Sequence, residues 1–231
     1  MKTEAVIVAA GSSRRAGCDK LTYEIGGKMI LEYSLDAFQS SPFIDRVILV
    51  GSSRNLGYFR RHFARKFSKL KTVAKGGRWR GESVLQGLKQ LDKDTQAVLI
   101  HDGARPFISL SLIEKIFAAL KRYKAVIPVL RLRDTLKLCQ GGRVLRTLGE
   151  RRRLFLAHTP QAFRREIIEE AYRGRIKWPL VYDDAFLVER KKLAAVKIIE
   201  SSMFDFKITF AEDLVLAKAI VKGYVKGRAR F

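Results

Sequence analysis

Glu4-Ala5-Val6-Ile7-Val8-Ala9-Ala10-Gly11-Ser12-Ser13-Arg14-Arg15-Ala16-Gly17, closed by Lys20, is the stretch whose reading decides the fold. Its apolar run is far shorter than the roughly 20 residues that span a bilayer. An acidic residue precedes the run and arginines follow it, which is the wrong charge order for a signal peptide. The run therefore reads as a first β-strand over residues 5–10 that empties into a turn of small residues. Outward from it, apolar runs alternate with amphipathic stretches, the pattern of βα units around a mainly parallel sheet.

Strands are expected at 46–50, 71–74, 97–100, 125–130 and 194–199. Helices are expected at 31–38, 56–67, 82–91, 112–121, 163–172, 184–190 and 211–222. The period changes at 133–138 and 143–148, two β-like stretches separated by Gln140-Gly141-Gly142, a hairpin signal. These stretches hold few large apolar groups and no helix to cover them, so residues 131–150 read as a projecting β-hairpin arm. Two strands alone are marginally stable, and the arm is expected to pack against a second subunit. The fold class predicted is α/β: a Rossmann-like, mainly parallel sheet flanked by helices, in one domain over residues 1–231. No internal repeat or linker divides it.

Composition supports a folded globule. Of 231 residues, 47% are hydrophobic, and 17 Gly and 5 Pro are too few for a disordered chain. Two cysteines, Cys18 and Cys139, and three dispersed histidines offer neither a disulfide framework nor a structural metal site. A cytoplasmic protein without a membrane segment is expected. The charge is unusual, with 46 Lys and Arg against 23 acidic residues, or +23. That surplus attracts anions, but the cations are spread along the chain without a basic arm, a zinc-finger spacing or interleaved RNA-binding aromatics. Nucleic acid is not the expected main partner.

Ligands in open parallel sheets bind at the carboxyl ends of strands, and four features fall there. In the first turn, Ala9, Ala10 and Gly11 allow backbone N–H groups close to a phosphate, while Arg15 and Lys20 supply charge. It matches neither GxxxxGK[ST] nor GxGxxG, and alone it is equally a plain strand-to-helix turn. In Gly76-Gly77-Arg78-Trp79-Arg80-Gly81-Glu82-Ser83, the glycines permit contact with a flat base, and Ser83 either caps the next helix or meets a base edge. In His101-Asp102-Gly103-Ala104-Arg105-Pro106, Asp102 suits a metal or a ribose hydroxyl and Arg105 a phosphate, or the two form an internal salt bridge. Lys207, in Phe206-Lys207-Ile208-Thr209, is a lone cation before the last helix.

Taken together, these features resemble the 2-C-methyl-D-erythritol 4-phosphate cytidylyltransferase family. The resemblance runs from about residue 5 to residue 218. It also takes in Arg133-Asp134-Thr135, Thr159-Pro160-Gln161-Ala162-Phe163, Asp183-Asp184-Ala185 and Glu212-Asp213-Leu214. It implies transfer of CMP from CTP to a sugar-alcohol phosphate with release of pyrophosphate. By carry-over, Arg15, Lys20, Arg151 and Lys207 are catalytic, and Ala9, Ala10, Gly11, Gly76, Gly77, Ser83 and Asp102 join Arg15 and Lys20 in binding CTP. Arg105, Thr135, Arg151, Thr159, Tyr182 and Lys207 surround the acceptor. Magnesium would be held mostly by the triphosphate, with Asp102 the nearest carboxylate, and the arm would make a homodimer.

Three departures from the family pattern stand out. Asp19-Lys20-Leu21 replaces Pro-Lys-Gln, Tyr182-Asp183-Asp184-Ala185 replaces Thr-Asp-Glu-Ala, and Arg151-Arg152-Arg153 is a run of three in which counting back from Thr159 selects Arg151. They bear on the acceptor more than on the nucleotide. The rival activity is ribitol 5-phosphate cytidylyl transfer, and the rival class is a basic nucleic-acid-binding protein.

Overall fold

The structure is a computed structural model that describes residues 1–11 and 20–225. Its centre is an eight-stranded sheet. The strands and helices along the chain are β1 (Thr3–Ala9), β2 (Glu24–Ile25), β3 (Lys28–Met29), α1 (Ile30–Ser40), β4 (Arg46–Gly51), α2 (Leu56–Phe63) and β5 (Leu70–Lys75). They continue with α3 (Arg80–Leu88), β6 (Ala97–Asp102), α4 (Leu110–Leu120), β7 (Ala125–Arg131), β8 (Lys137–Gln140), β9 (Arg143–Thr147) and β10 (Phe155–Ala157). The last are β11 (Gln161–Arg164), α5 (Arg165–Ala171), α6 (Asp184–Arg190), β12 (Val196–Glu200) and α7 (Ala211–Val225).

β1 pairs in parallel with both β4 and β6, and β4 with β5. The chain therefore leaves β1 towards β4 and β5 and returns on its other side at β6. That reversal makes the carboxyl ends of β1 and β6 a topological switch point, where a crevice opens. Alternate residues of β1 serve opposite faces. Ala5, Ile7 and Ala9 pack with α1, α2 and α4 residues such as Leu35, Phe59 and Ile116. Val6 packs with Val84 of α3, Ile168 of α5 and Val188 of α6. Burial on both faces explains why these strands read as continuous apolar runs. A third cluster seats α7, through Ala217, Ile220 and Val221, on Ile25, Ile30, Phe107 and Ile208.

The fold class is as expected, and the differences are local. Phe163 and Arg164 belong to β11 and not to a helix, which begins only at Arg165. β11 runs antiparallel between β6 and β7, and the fully buried Phe163 fills the space this creates. Its helical spacing with Ile167 and Ile168 arises because all three enter the same apolar cluster. β10 also runs antiparallel to β7, so a mainly parallel sheet carries an antiparallel insert. α2 stops at Phe63, although Phe67 continues its apolar row into the core. The arm forms as β8 and β9, with Gly141 and Gly142 at φ +56° and +75° in the turn. Both glycines stand in the left-handed region, the conformation a tight hairpin turn requires. Every residue of β8 and β9 is exposed. No helix among the described residues is long and apolar enough to cross a membrane.

Candidate active site

The crevice at the switch point encloses about 310 Å³ and is lined by Ala9, Ala10, Gly11, Lys20, Gly77, Arg78, Trp79, Ser83, Asp102 and Lys207, among others. Residues nearly 200 positions apart in sequence thus share one wall. Gly76 stands directly behind: a Cβ there would come within 2.6 Å of Ala10 Cβ and 2.7 Å of Ser83 Oγ. The two loops can close only because residue 76 has no side chain. Ser83 lies inside α3 and is not its N-cap. Its hydroxyl accepts from Gly77 N at 3.2 Å and donates to Trp79 O at 3.1 Å, which folds the glycine turn back onto the helix.

At the floor lies an ionic chain. Arg80 Nε donates to Asp102 Oδ1 at 2.8 Å, and its terminal nitrogens donate to the two oxygens of Asp184 at 3.1 and 2.9 Å. Tyr172 donates its hydroxyl to Asp184 Oδ1 at 2.6 Å. Lys207 Nζ donates to Asp102 Oδ2 at 2.8 Å, and Arg105 Nε lies 3.9 Å from the same oxygen. Burial works against the Asp102 charge, yet Arg80, Lys207 and Arg105 outweigh it and hold the carboxyl well below the usual range. Burial likewise opposes the Arg80 charge, and Asp102 and Asp184 overcome it. Three cations thus face two carboxylates, and Lys20 on the wall adds a fourth cation. Among the described residues the crevice carries an excess of positive charge in a partly desolvated place, where it acts most strongly on an anion.

Behind Asp102 the backbone is held by a second chain of contacts. Buried His101 is kept neutral, its pKa lowered to about 4 by burial. Its Nε2 lies 3.1 Å from the Arg105 carbonyl, which can only accept, so the proton sits on Nε2. Nδ1 then accepts from the Thr159 hydroxyl at 3.0 Å, and Thr159 Oγ1 accepts from Asp102 N at 3.1 Å. Gln161 extends this scaffold: its Oε1 accepts from Asp184 N and Ala185 N, and its Nε2 donates to Asp183 Oδ2. Asp183 caps α6 through Phe186 N at 2.8 Å. Residues 159–161 and 183–185 therefore act together to start α6 where Asp184 can reach Arg80.

Of the residues singled out from sequence, Ala9, Ala10, Gly11, Lys20, Gly77, Ser83, Asp102 and Lys207 meet on the crevice wall. Arg105 and Thr159 are buried beneath it, where Arg105 donates to Asp205 O at 2.7 Å. Thr135 is exposed at the root of the arm. Arg151, also exposed, donates to Arg133 O at 2.5 Å and borders a separate hollow with Leu130, Arg133 and Ser201. Tyr182 is 76% exposed, its ring edge-on to Phe186, and does not line the crevice. Arg15 lies outside the described residues. The sequence reading gave no role to Arg80, Tyr172, Asp184 or His101. Arg80 and Asp184 stand inside quoted motifs, but nothing in linear spacing brings residue 80 against residues 102 and 184. No group of three or more His, Cys, Asp or Glu side chains suited to a metal occurs among the described residues.

Comparison with known proteins bears on this geometry. Residues 3–223 match the family model described as 2-C-methyl-D-erythritol 4-phosphate cytidylyltransferase. The chain is 42% identical to the protein of that name from Dehalococcoides mccartyi, over 98% of both chains. It is 40% identical to the one from Caldicellulosiruptor bescii, over 97% of this chain and 100% of that one. Among solved structures, 4-diphosphocytidyl-2C-methyl-D-erythritol synthase from Anaerococcus prevotii superposes with a TM-score of 0.83 at 32% identity over 96% of each chain. The 2-C-methyl-D-erythritol 4-phosphate cytidylyltransferase from Thermus thermophilus gives 0.77 at 31% identity, over 96% of this chain and 100% of that one.

Proposed function

The chain belongs to the 2-C-methyl-D-erythritol 4-phosphate cytidylyltransferase family, and from that premise we propose how its crevice carries out the reaction. The enzyme transfers CMP from CTP to 2-C-methyl-D-erythritol 4-phosphate in the non-mevalonate isoprenoid pathway. The products are 4-diphosphocytidyl-2-C-methyl-D-erythritol and pyrophosphate. An oxygen of the acceptor phosphate forms a bond to the α-phosphorus of CTP. The bond from that phosphorus to the oxygen bridging the β-phosphate breaks, and its electron pair leaves with pyrophosphate. Two anions must meet, so catalysis is largely positioning and charge neutralisation.

The observation that carries this reading is the excess of cations around Asp102 at the end of β6. Lys20 and Arg15 neutralise charge on the triphosphate, and Lys207 does so on the acceptor phosphate. Ala10, Gly11, Gly77 and Ser83 shape the base pocket. Asp102 holds Lys207 in place before substrate arrives. A divalent cation fits the donor set: among the described residues each Asp102 oxygen keeps a lone pair beyond one hydrogen bond, and one carboxylate matches magnesium carried mainly by phosphates. Asp102, together with the triphosphate, would hold magnesium there, and the ion would supply charge neutralisation of the phosphate oxygens. Arg151 and Thr135 stand at the root of the arm. This placement supports a homodimer in which they serve the acceptor of a neighbouring subunit. Both substrates are phosphorylated and do not cross lipid unaided, so the cytoplasm is the fitting compartment.

The test is to offer the enzyme CTP and magnesium with methylerythritol phosphate or ribitol 5-phosphate and to follow pyrophosphate release. Turnover with methylerythritol phosphate is expected. Turnover of ribitol 5-phosphate alone would replace this acceptor with the other.

A further inference from the structure

Trp79 is a large aromatic side chain that the crevice exposes and that the reaction as described does not use. It is 37% exposed and belongs to none of the three apolar clusters, whereas the protein's second tryptophan, Trp178, packs against the α3, α5 and α6 side of the core. Trp79 nevertheless cannot drift. Its N–H donates to Glu82 Oε2 at 2.9 Å, and its carbonyl accepts from Ser83 N at 3.0 Å and Ser83 Oγ at 3.1 Å. Its backbone is therefore pinned at the entry to α3, one turn from Ser83 and two residues from Gly77, and Trp79 lines the crevice together with Arg80, Asp102 and Lys207. The Arg78 guanidinium lies 5.4 Å from the centroid of the indole, over the ring. A cation over one face both steadies the ring and leaves the other face for a flat partner. An exposed indole on a fixed backbone, beside a cationic floor, is an arrangement by which proteins stack a nucleobase.

We propose that Trp79, backed by Arg78, is the platform on which the base of CTP stacks. It then sets nucleotide affinity without selecting among bases. This rests on the assignment of the crevice to CTP. Every base offers a π-face, so stacking is tolerant of identity, and selection for cytosine falls to polar groups at the base edge.

Two measurements test the proposal. In Trp178→Phe, which leaves Trp79 as the sole indole of the two in the chain, titration with CTP and magnesium should quench tryptophan fluorescence, while inorganic tripolyphosphate should not. In Trp79→Ala, KM for CTP should rise about tenfold, with kcat and KM for methylerythritol phosphate within twofold of the parent. The inhibition constant of UTP should rise by the same factor, inhibition by tripolyphosphate should be unchanged, and Trp79→Phe should recover most of the loss. A KM for CTP within twofold of the parent in a folded Trp79→Ala protein, or no CTP-specific quench, overturns the proposal. So does a change in the UTP-to-CTP ratio, which would make Trp79 a selector. Absence of turnover in the parent enzyme would count against the reaction itself, and the fluorescence titration would still decide the stacking.

Discussion

Asp102 accepts from Arg80 on one oxygen and from Lys207 on the other, so a single carboxylate sets where two cations of the crevice stand. Replacement by Asn keeps the shape but removes the charge that both cations face. Breaking a buried pair costs about 3–5 kcal/mol because the partner charge stays behind. Asp102→Asn should therefore lower both thermal stability and kcat, as read by calorimetry and pyrophosphate release. Lys20 lines the crevice wall with Asp102 and Lys207. Lys20→Ala should cost on the order of 2–4 kcal/mol of transition-state stabilisation, seen as a fall in kcat when pyrophosphate release is followed. Asp102 and Lys207 were legible as end-of-strand and lone-cation features. Arg80 was not, because its function depends on two carboxylates that only folding brings to it.

Buried titratable residues add a pH signature. His101 and His158 are both lowered to about 4 by burial. Between that value and about 6.5 the unfolded chain binds more protons than the native one, so stability is present above 6.5 and is lost as pH falls through the window. Asp205 acts the other way: burial raises it to about 6, so its native form takes up protons first and acidification favours folding. The two histidines outnumber the aspartate, and a net loss of stability on going from pH 7 to pH 5 is expected. His158→Gln, which keeps a polar partner for Ser201 Oγ at the Nδ1 contact of 2.9 Å, should flatten the melting temperature against pH. An unchanged slope would remove His158 from the account.

Among the elements, α3 matters most to the site because it carries Arg80, Ser83 and, at its entry, Trp79. Its distance from the sheet is set by Gly87. A Cβ there would fall 2.4 Å from Val6 Cγ1 and 3.1 Å from Val50 Cγ2. Overpacking of this kind costs about 1–3 kcal/mol. Gly87→Ala should lower the urea midpoint without changing the slope, and should raise KM for CTP as the helix start is pushed from β1. The existence of α3 was readable from its amphipathic spacing, but its start at Arg80 was not. A helix beginning at Glu82 would have left Arg80 in the loop. β11 was missed for a related reason: Phe163, Ile167 and Ile168 keep helical spacing although a strand and a helix share them.

At the scale of the molecule, the arm is the part that the core does not explain. Leu138, Val144 and Leu145 are 41%, 59% and 57% exposed, and among the described residues β8 and β9 pair only with each other. Apolar side chains on an unsupported two-stranded ribbon call for cover. If a second copy supplies it, Val144→Glu combined with Leu145→Glu should shift the protein from dimer to monomer in light scattering and raise KM for the acceptor more than for CTP. A dimer that persists with unchanged kinetics would detach the arm from assembly.

What the sequence determined by itself was the order of βα units, the projecting hairpin and the small-residue loops at strand ends. Each depends on neighbours in the chain, through hydrophobic period, turn chemistry and the absence of Cβ atoms. The tertiary structure decided which charges meet. Strand order places β1 beside β6, α3 delivers Arg80 to Asp102 at the end of β6, and Gln161 and Asp183 start α6 so that Asp184 reaches Arg80. Electrostatic pairing depends on distance in space, and distance in space is a property of topology and packing that no linear spacing encodes. The turn over residues 9–20 is therefore, in one dimension, only a place where an anion can sit. Asp102, Arg80 and Lys207 join Ala9, Ala10, Gly11 and Lys20 in one crevice from three distant parts of the chain.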